Sequence, residues 1–296
     1  MKLEMATLPQ LLRKHAQTTP NRLSQRHKQR GIWREYSFAD VQRNVRELAL
    51  GLHLAGVKSG ETIAIIGENE PQHYWAEFAA HALGCKVVSM YPDLTAGEVA
   101  YLMDDSEAVV LFAQDQEQVD KGIDVRAKLP TLRHIVYWDT TGMWSYNDPI
   151  LHTFDALQQQ GRTVHQRNTK AYDALVDAGS ADDIAVLSYT SGTTGQPKGV
   201  ILTHRFLIDN AQRLINSMDV RPDMEYLSYI APSWATEQIY GITLGLGLPM
   251  VVNFPEGPEQ VLANIRELAV EGMTFAPRQW ESVASSVQAH MLDAGP

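Results

Sequence analysis

The chain of 296 residues is 44% hydrophobic and 20% charged, as is typical of a globular protein with one large domain or two ordinary ones. Its net charge of −10 argues against nucleic acid as the main partner, because no basic surplus is available to neutralise phosphates. The single cysteine, Cys85, excludes an intramolecular disulfide, and no apolar run is long enough to span a membrane. A cytoplasmic location is therefore predicted.

The predicted elements begin with a short amphipathic helix over 8–17, two strands near 22–25 and 33–36, and a helix capped by Ser37. From residue 62 onwards, continuous apolar strands alternate with helices. Strands are predicted at 62–66, 87–90, 108–113, 134–137, 184–187, 225–230, 250–254 and 273–276. Helices are predicted at 71–81, 95–104, 119–129, 203–216, 237–246, 258–270 and 278–291. This alternation predicts an α/β fold with mostly parallel, doubly wound sheets and helices on both faces.

Residues 139–180 break the alternation and are predicted to form an irregular excursion with some helix. The predicted division is an N-terminal part over 1–60 that packs on the core, a first α/β subdomain over 61–180 and a second over 181–296. The alternation stops abruptly at the last helix. We therefore expect the chain to be the front part of a longer protein.

Residues 189–200 read YTSGTTGQPKGV and follow the apolar run at 184–187. In an open α/β sheet, ligands collect beyond the carboxyl ends of the strands. Glycines let backbone N–H groups approach an anion closely, hydroxyl side chains add donors, and Lys198 adds a mobile positive charge. We therefore predict that this segment, placed between a strand and a helix, cradles the β- and γ-phosphates of a nucleotide.

The segment is not a Walker A loop, because Lys198 is preceded by Pro197 and followed by Gly199. A surface turn of small polar residues is the alternative, but such turns seldom combine a Ser/Thr run, flanking glycines and Pro-Lys-Gly. Pro197 disfavours a helix that runs through the lysine. A flexible flap, and not a helix N-terminus, is therefore predicted to hold the phosphates.

Residues 190–199, TSGTTGQPKG, resemble the phosphate-loop signature of the adenylate-forming superfamily of acyl-CoA synthetases, luciferases and peptide-synthetase adenylation domains. Three further segments resemble long-chain acyl-CoA synthetases within that superfamily: residues 87–106, residues 226–238 (YLSYIAPSWATEQ) and residues 253–283, which begin with NFPE. The chain is thus similar to the N-terminal part of such an enzyme. The resemblance implies the α/β fold of the large N-terminal domain of these enzymes.

Enzymes of this family join a carboxylic acid to AMP, release pyrophosphate and then pass the acyl group to coenzyme A. The resemblance implies ATP phosphate binding by Thr190, Ser191, Gly192, Thr193, Thr194, Gly195 and Lys198. It also makes Thr190 and Glu237 candidate contacts to Mg²⁺ and places Trp234 in the acyl pocket. A packing role for Trp234 and a helix-capping role for Glu237 remain open alternatives.

The resemblance implies fatty acid, ATP and coenzyme A as ligands. It assigns no catalytic residue to this chain, because the family's Tyr-Gly-x-Thr-Glu motif, ribose-binding aspartate and catalytic lysine have no match here. We therefore expect the chain to be inactive alone.

Other functions stay open at this point. One is a non-catalytic nucleotide- or acyl-binding module, which a gene ending at Pro296 would favour. Another is a phosphotransferase, for which Asp182 and Asp183 are the only carboxylates near the loop in sequence. Adenylation of another carboxylic acid, peripheral membrane contact and a homodimer are also left open.

Overall fold

A computed structural model describes residues 2–190 and 195–293 of the chain, and they form two sheets with helices around them. The strands are β1 Leu23–Gln29, β2 Ile32–Ser37, β3 Thr62–Ile66, β4 Lys86–Met90, β5 Ala108–Ala113, β6 His134–Tyr137, β7 Leu151–Thr153, β8 Ile184–Thr190, β9 Lys198–Thr203, β10 Glu225–Leu227, β11 Val251–Phe254 and β12 Gly272–Met273. The helices are α1 Leu8–Thr18, α2 Phe38–Leu54, α3 Pro71–Ala82, α4 Ala96–Asp105, α5 Gln116–Val125, α6 Phe154–Arg167, α7 Ala171–Asp177, α8 His204–Ser217, α9 Ala235–Glu237, α10 Gly245–Gly247, α11 Val261–Leu268 and α12 Pro277–Asp293.

The larger sheet has seven strands in the order β7-β6-β5-β3-β4-β8-β9. All neighbours are parallel except β8 and β9, which are antiparallel. Alternate residues of β3 enter two different hydrophobic clusters, one on each face of this sheet. The predicted α/β fold with mostly parallel sheets is confirmed.

The smaller sheet has five strands in the order β12-β10-β11-β1-β2, with only the β1–β2 pair antiparallel. Each sheet contains strands from more than one of the three predicted parts of the chain, 1–60, 61–180 and 181–296. The hairpin β1–β2 extends the smaller sheet, whereas β8 and β9, predicted to open the second subdomain, complete the larger one. Strand pairing depends on partners that are distant in sequence, which local patterns do not specify.

Helix α3 lies between the two sheets. Eleven of its twelve residues are buried, as expected for a helix that has no solvent-facing side. The ring of Tyr74 packs edge-to-face against the ring of Phe254 of β11, with ring centroids 4.9 Å apart. Trp75 Nε1 donates to Gln25 Oε1 of β1 at 2.9 Å. On the opposite side, His81 Nε2 lies 3.0 Å from the Ala185 carbonyl oxygen of β8. The position of each sheet is thus tied to this one helix.

The predicted excursion over 139–180 is largely ordered, which corrects the expectation. It contains the edge strand β7 and helices α6 and α7. Helix α6 crosses α2 so closely that a Cβ on Gly161 would overlap the Glu47 carbonyl oxygen, and one on Gly51 would overlap the Leu157 carbonyl oxygen. Glutamine-rich composition concealed this helix, because its stability comes from the crossing and not from a wide apolar face.

Local signals for helix starts are confirmed. Ser37 and Thr95 each form a capping box, with Asp40 and Glu98 as the reciprocal partners, and Pro71 opens α3. Cys85 is buried. Within the described residues, no helix is long and apolar enough to cross a membrane.

Candidate functional site

The glycine-rich segment connects two antiparallel strands. Strand β8 ends at Thr190 and β9 begins at Lys198, and these two residues face each other across the hairpin. The loop was predicted to lie between a strand and a helix. That placement is wrong, because strand β9 follows the loop and helix α8 starts only at His204. Pro197 does exclude a helix through the lysine, as predicted. Ser191, Gly192, Thr193 and Thr194 lie outside the described residues.

Helix α4 holds both arms of this hairpin. Tyr101 donates its hydroxyl to the Pro197 carbonyl oxygen at 2.8 Å, and Tyr189 donates to Asp105 Oδ2 at 2.6 Å. The ring of Tyr189 covers Gly199 on the neighbouring strand, where a Cβ would come within 3.3 Å of it. The base of the loop is thus fixed while the tip carries the glycines.

The described ends of the loop suit an anion. Lys198 is exposed and forms no ion pair with the described residues. Thr190 is exposed opposite it. Gly195 adopts a left-handed φ of 97°, and no atom lies within 4 Å of the position that a Cβ would take there. An unpaired ammonium, a hydroxyl and open backbone can bind a phosphate without a large shift of the hairpin.

A cleft of about 440 Å³ lies at the carboxyl ends of strands from both sheets. Most of its lining residues come directly after a strand in sequence: 68–70 after β3, 91–93 after β4, Gln114 after β5, 228–231 after β10 and 255–258 after β11. Because β8 is parallel to β4, the glycine-rich loop leaves the larger sheet at this same edge. Open α/β sheets bind their ligands there.

Trp234 lines this cleft with 42% of its surface exposed, and its segment contacts β8 through a bond from Ser188 Oγ to the Ser233 carbonyl oxygen at 3.3 Å. The core position considered for Trp234 is therefore wrong. Its assignment to an acyl pocket stays a prediction.

The cleft carries several carboxylates, among them Glu68, Glu70, Asp93 and Glu256. Burial raises the pKa of Glu70 to about 7, against the lowering effect of bonds from Trp138 Nε1 and Gln114 Nε2, both at 2.9 Å. Burial also raises the pKa of Glu68. The cleft is thus an acidic, polar cavity.

Glu237 lies behind the cleft wall and is fully buried. Its carboxylate accepts hydroxyl hydrogen bonds of 2.6 Å from Tyr74, Tyr226 and Ser228. Ser228, which lines the cleft, also accepts from Asn69 Nδ2 at 2.8 Å. The network therefore anchors two cleft residues to the interior.

Neither of the roles considered for Glu237 matches this arrangement directly. No side-chain hydrogen bond caps α9, so the capping alternative is wrong. Magnesium could reach the carboxylate only if the hydroxyl network opened. Within the described residues, no three acidic, histidine or cysteine side chains group as a metal site. Magnesium binding by Thr190 or Glu237 stays a prediction, and no chemical step is derived through the metal.

A second buried carboxyl group, Glu77 of α3, faces the π-helix Gln238–Leu244 that joins α9 to α10. Gln238 Nε2 donates to Glu77 Oε2 at 3.1 Å, but Glu77 Oε1 has no partner among the described residues. Burial raises the pKa of Glu77 to about 8, and the nearby Glu237 adds to the shift. Burial raises the pKa of Glu237 to about 7.

These carboxyl groups predict that stability falls as pH rises from about 4.5 to about 8. Their ordinary pKa is 4.5, so above that value only the folded state retains the protons, up to about pH 7 for Glu237 and about pH 8 for Glu77. Stability is then lost as pH rises. The buried histidines His27 and His73 act oppositely, but only below about pH 6.5, because burial lowers their pKa to about 4.

We expect Glu77→Gln to flatten the loss of stability between about pH 6.5 and 8, by about 1–2 kcal/mol over that window, since one proton contributes about 1.4 kcal/mol per pH unit. Urea denaturation at a series of pH values measures this. The exposed Glu281→Gln is the matched control and should follow the unaltered chain. A Glu77→Gln profile as steep as that of the unaltered chain would contradict the assignment.

Asp182 and Asp183, the carboxylates considered for a phosphotransferase, precede β8 at its amino end, whereas the glycine-rich loop leaves the carboxyl end. Asp182 pairs with Arg205 at 2.6 Å. They therefore lie at the strand entrance, and this phosphotransferase arrangement is not supported.

Sequence reasoning missed Asn69, Glu70 and Ser228 in the cleft. The available signal was their position directly after β3 and β10, at the carboxyl ends where ligands bind. Helix α12 is held at its start by Trp280, which packs against Phe275 with ring centroids 5.1 Å apart.

A family model described as AMP-binding enzyme matches residues 12–294, and the chain belongs to this family. The long-chain-fatty-acid–CoA ligase ACSBG1 of Homo sapiens is 26% identical over 281 residues, which cover 90% of this chain and 37% of the relative. The long-chain-fatty-acid–CoA ligase FadD15 of Mycobacterium tuberculosis is 31% identical over 178 residues, which cover 60% of this chain and 28% of the relative. The chain thus spans 37% of the length of the first relative and 28% of the second. The resemblance to adenylate-forming enzymes is confirmed.

Solved structures share the fold. VinN superposes with a TM-score of 0.75 at 17% identity, covering 97% of this chain and 66% of VinN, and a complex of VinN with L-aspartate gives 0.74. The N-terminal domain of FACL13 from Mycobacterium tuberculosis, bound to an inhibitor, gives 0.68 at 20% identity and covers 90% of this chain and 61% of that domain. At such identities the likeness concerns the fold alone.

Proposed function

We propose that this chain forms the phosphate-binding part of an ATP-dependent ligase that activates a long-chain fatty acid to acyl-AMP and then to acyl-CoA. The observation that carries the proposal is the shared edge of the larger sheet. There the loop base, with Lys198 opposite Thr190, and the cleft that contains Trp234 both lie beyond the carboxyl ends of parallel strands. Membership of the AMP-binding family and relatives named as fatty-acid–CoA ligases support it.

In this proposal the loop neutralises the leaving pyrophosphate while the acid attacks the α-phosphorus. Catalysis of such a step is mostly positioning and charge neutralisation. Lys198 supplies the charge, and Thr190 and Gly195 supply a hydroxyl and backbone donors, together with Ser191, Gly192, Thr193 and Thr194 as predicted from sequence. Tyr101 and Asp105 keep the loop base in place. Magnesium, coenzyme A, a cytoplasmic location, membrane contact and a homodimer stay predictions.

A second candidate is activation of a polar acid that carries an amino group. The specific observation is the acidity of the cleft, where Glu68, Asp93 and Glu256 join Glu70. Carboxylates favour an ammonium group and disfavour an alkyl chain. A neighbour in fold, VinN, is known in complex with L-aspartate. Thermal stabilisation of the chain by palmitate, compared with stabilisation by a series of amino acids, separates the two candidates.

We expect the chain to bind MgATP through the loop. Lys198→Ala should weaken binding by about 10- to 100-fold, because a hydrogen bond to a charged group contributes about 1.5–3 kcal/mol. Titration calorimetry measures this, with the exposed Lys170→Ala as the matched control. Equal affinities for Lys198→Ala and the unaltered chain would overturn the assignment of the phosphate site.

The same preparation should show no acid-dependent exchange of labelled pyrophosphate into ATP. The resemblance assigns the adenine motif and the catalytic lysine to sequence that this chain does not contain. Exchange that Lys198→Ala abolishes would show that the chain adenylates by itself and would contradict this part of the proposal.

A further inference from the structure

A separate pocket of about 270 Å³ lies among helices α1, α2, α6 and α7 and shares no lining residue with the cleft. We call it the helical pocket. Its polar lining consists of Arg13 and Gln17 of α1, Gln42 and Arg46 of α2, His165 of α6, Thr169, and Tyr172 and Asp173 of α7.

Several buried polar atoms in the helical pocket have no hydrogen-bond partner among the described residues. They are Arg46 Nε and His165 Nδ1, together with Gln42 Oε1 and Tyr172 Oη, two side chains that lie close to each other but form no hydrogen bond of good geometry. Tyr172 is only 1% exposed, so bulk water does not solvate its hydroxyl. Each polar group buried without a partner costs about 1–3 kcal/mol. Four such groups around one cavity indicate a polar occupant.

The charge in the helical pocket identifies the sign of that occupant. Arg13 is neutralised by Asp173 at 3.4 Å and Asp177 at 2.5 Å. The lining itself holds two arginines, Arg13 and Arg46, against one carboxylate, Asp173, and Arg46 forms no ion pair with any described residue. A half-buried guanidinium without a carboxylate favours an anion.

The hydrogen-bonding groups agree with an anion. Burial raises the pKa of Tyr172 well above its usual value, against the lowering effect of the neighbouring Gln42 amide, so its hydroxyl stays a donor. Arg46 Nε–H can only donate, and His165 donates in one of its tautomers. We propose that the helical pocket binds a small oxyanion, a phosphate or carboxylate group, held mainly by Arg46 and Tyr172. Its volume suits a small ion and not a nucleoside triphosphate.

A bound oxyanion would connect α2 to α7, and so tie the long helix that crosses α6 to the segment that precedes β8. Binding to the folded state alone raises the free energy of unfolding with ligand concentration. Stability is therefore the readout, and it is independent of enzymatic activity.

The test measures urea denaturation with increasing phosphate or acetate at constant ionic strength. Lys198→Ala is the background, because it removes the anion site proposed at the loop. We expect saturable stabilisation that Arg46→Gln weakens at least about 10-fold in affinity, equivalent to about 1.4 kcal/mol. The exposed Arg167→Gln is the matched control and should keep the full response. The comparison of phosphate with acetate identifies which oxyanion the pocket prefers.

Tyr172→Phe separates an anion from ordered water. Without anion it should leave stability unchanged or raise it, because it removes a hydroxyl that is buried without a good partner. With anion it should lower the saturable gain. If neither anion gives a saturable gain, or if Arg46→Gln retains it in full, the helical pocket holds only water and the proposal is wrong.

Discussion

Gly161→Ala is expected to lower the free energy of unfolding by about 3 kcal/mol or more. The new Cβ would overlap the Glu47 carbonyl oxygen and lie 2.7 Å from the Gly51 nitrogen. Both neighbours are backbone atoms of α2, which cannot rotate away as a side chain would. The helices α2 and α6 must then separate, and the residues packed at their crossing lose contact. Urea denaturation followed by circular dichroism measures the change.

The matched control is Gly97→Ala in α4, where the nearest atom to a new Cβ is 4.0 Å away. Alanine is a better helix former than glycine by about 1 kcal/mol, so this variant should be as stable as the unaltered chain or more so. A Gly161→Ala chain that matches Gly97→Ala in stability would show that α6 does not cross α2 at this distance.

Glu237→Ala is expected to cost about 3 kcal/mol or more, because three buried hydroxyl groups lose their acceptor and each unsatisfied group costs about 1–3 kcal/mol. Those hydroxyls belong to Tyr74, Tyr226 and Ser228. The variant should also loosen the cleft, since Ser228 links the network to Asn69. Urea denaturation gives the stability, and quenching of tryptophan fluorescence by acrylamide reports on the cleft through Trp234.

Glu237→Gln is the conservative comparison. The amide keeps the shape and one acceptor oxygen, so we expect a cost of about 1 kcal/mol. Because the pKa of Glu237 is raised to about 7, the amide should also reduce the loss of stability between about pH 4.5 and 7. Equal costs for Glu237→Ala and Glu237→Gln would mean that the hydroxyls find other partners.

The candidate site was predictable in part. The composition of residues 190–199 pointed to phosphate binding, and the position after a buried strand placed the loop at the ligand-binding edge. Strand β9 was not predictable, because Val200 and Ile201 are exposed and its short run lacks the alternation of a half-buried strand. Pairing with β8 makes it a strand. The roles of Asn69 and Glu237 were likewise hidden, because their partners lie far along the chain.

By itself, the sequence determined where elements begin and which class of fold they build. Ser37 and Thr95 start helices through capping bonds with their own neighbours, and Pro71 starts α3. Four of the five residues of β3 are apolar, as suits a strand that is buried on both faces. Only the tertiary structure decided which strands share a sheet and which polar groups meet. Tyr74 and Glu237 are 163 residues apart and still 2.6 Å from each other. Such contacts arise from packing between elements, which local propensity does not encode.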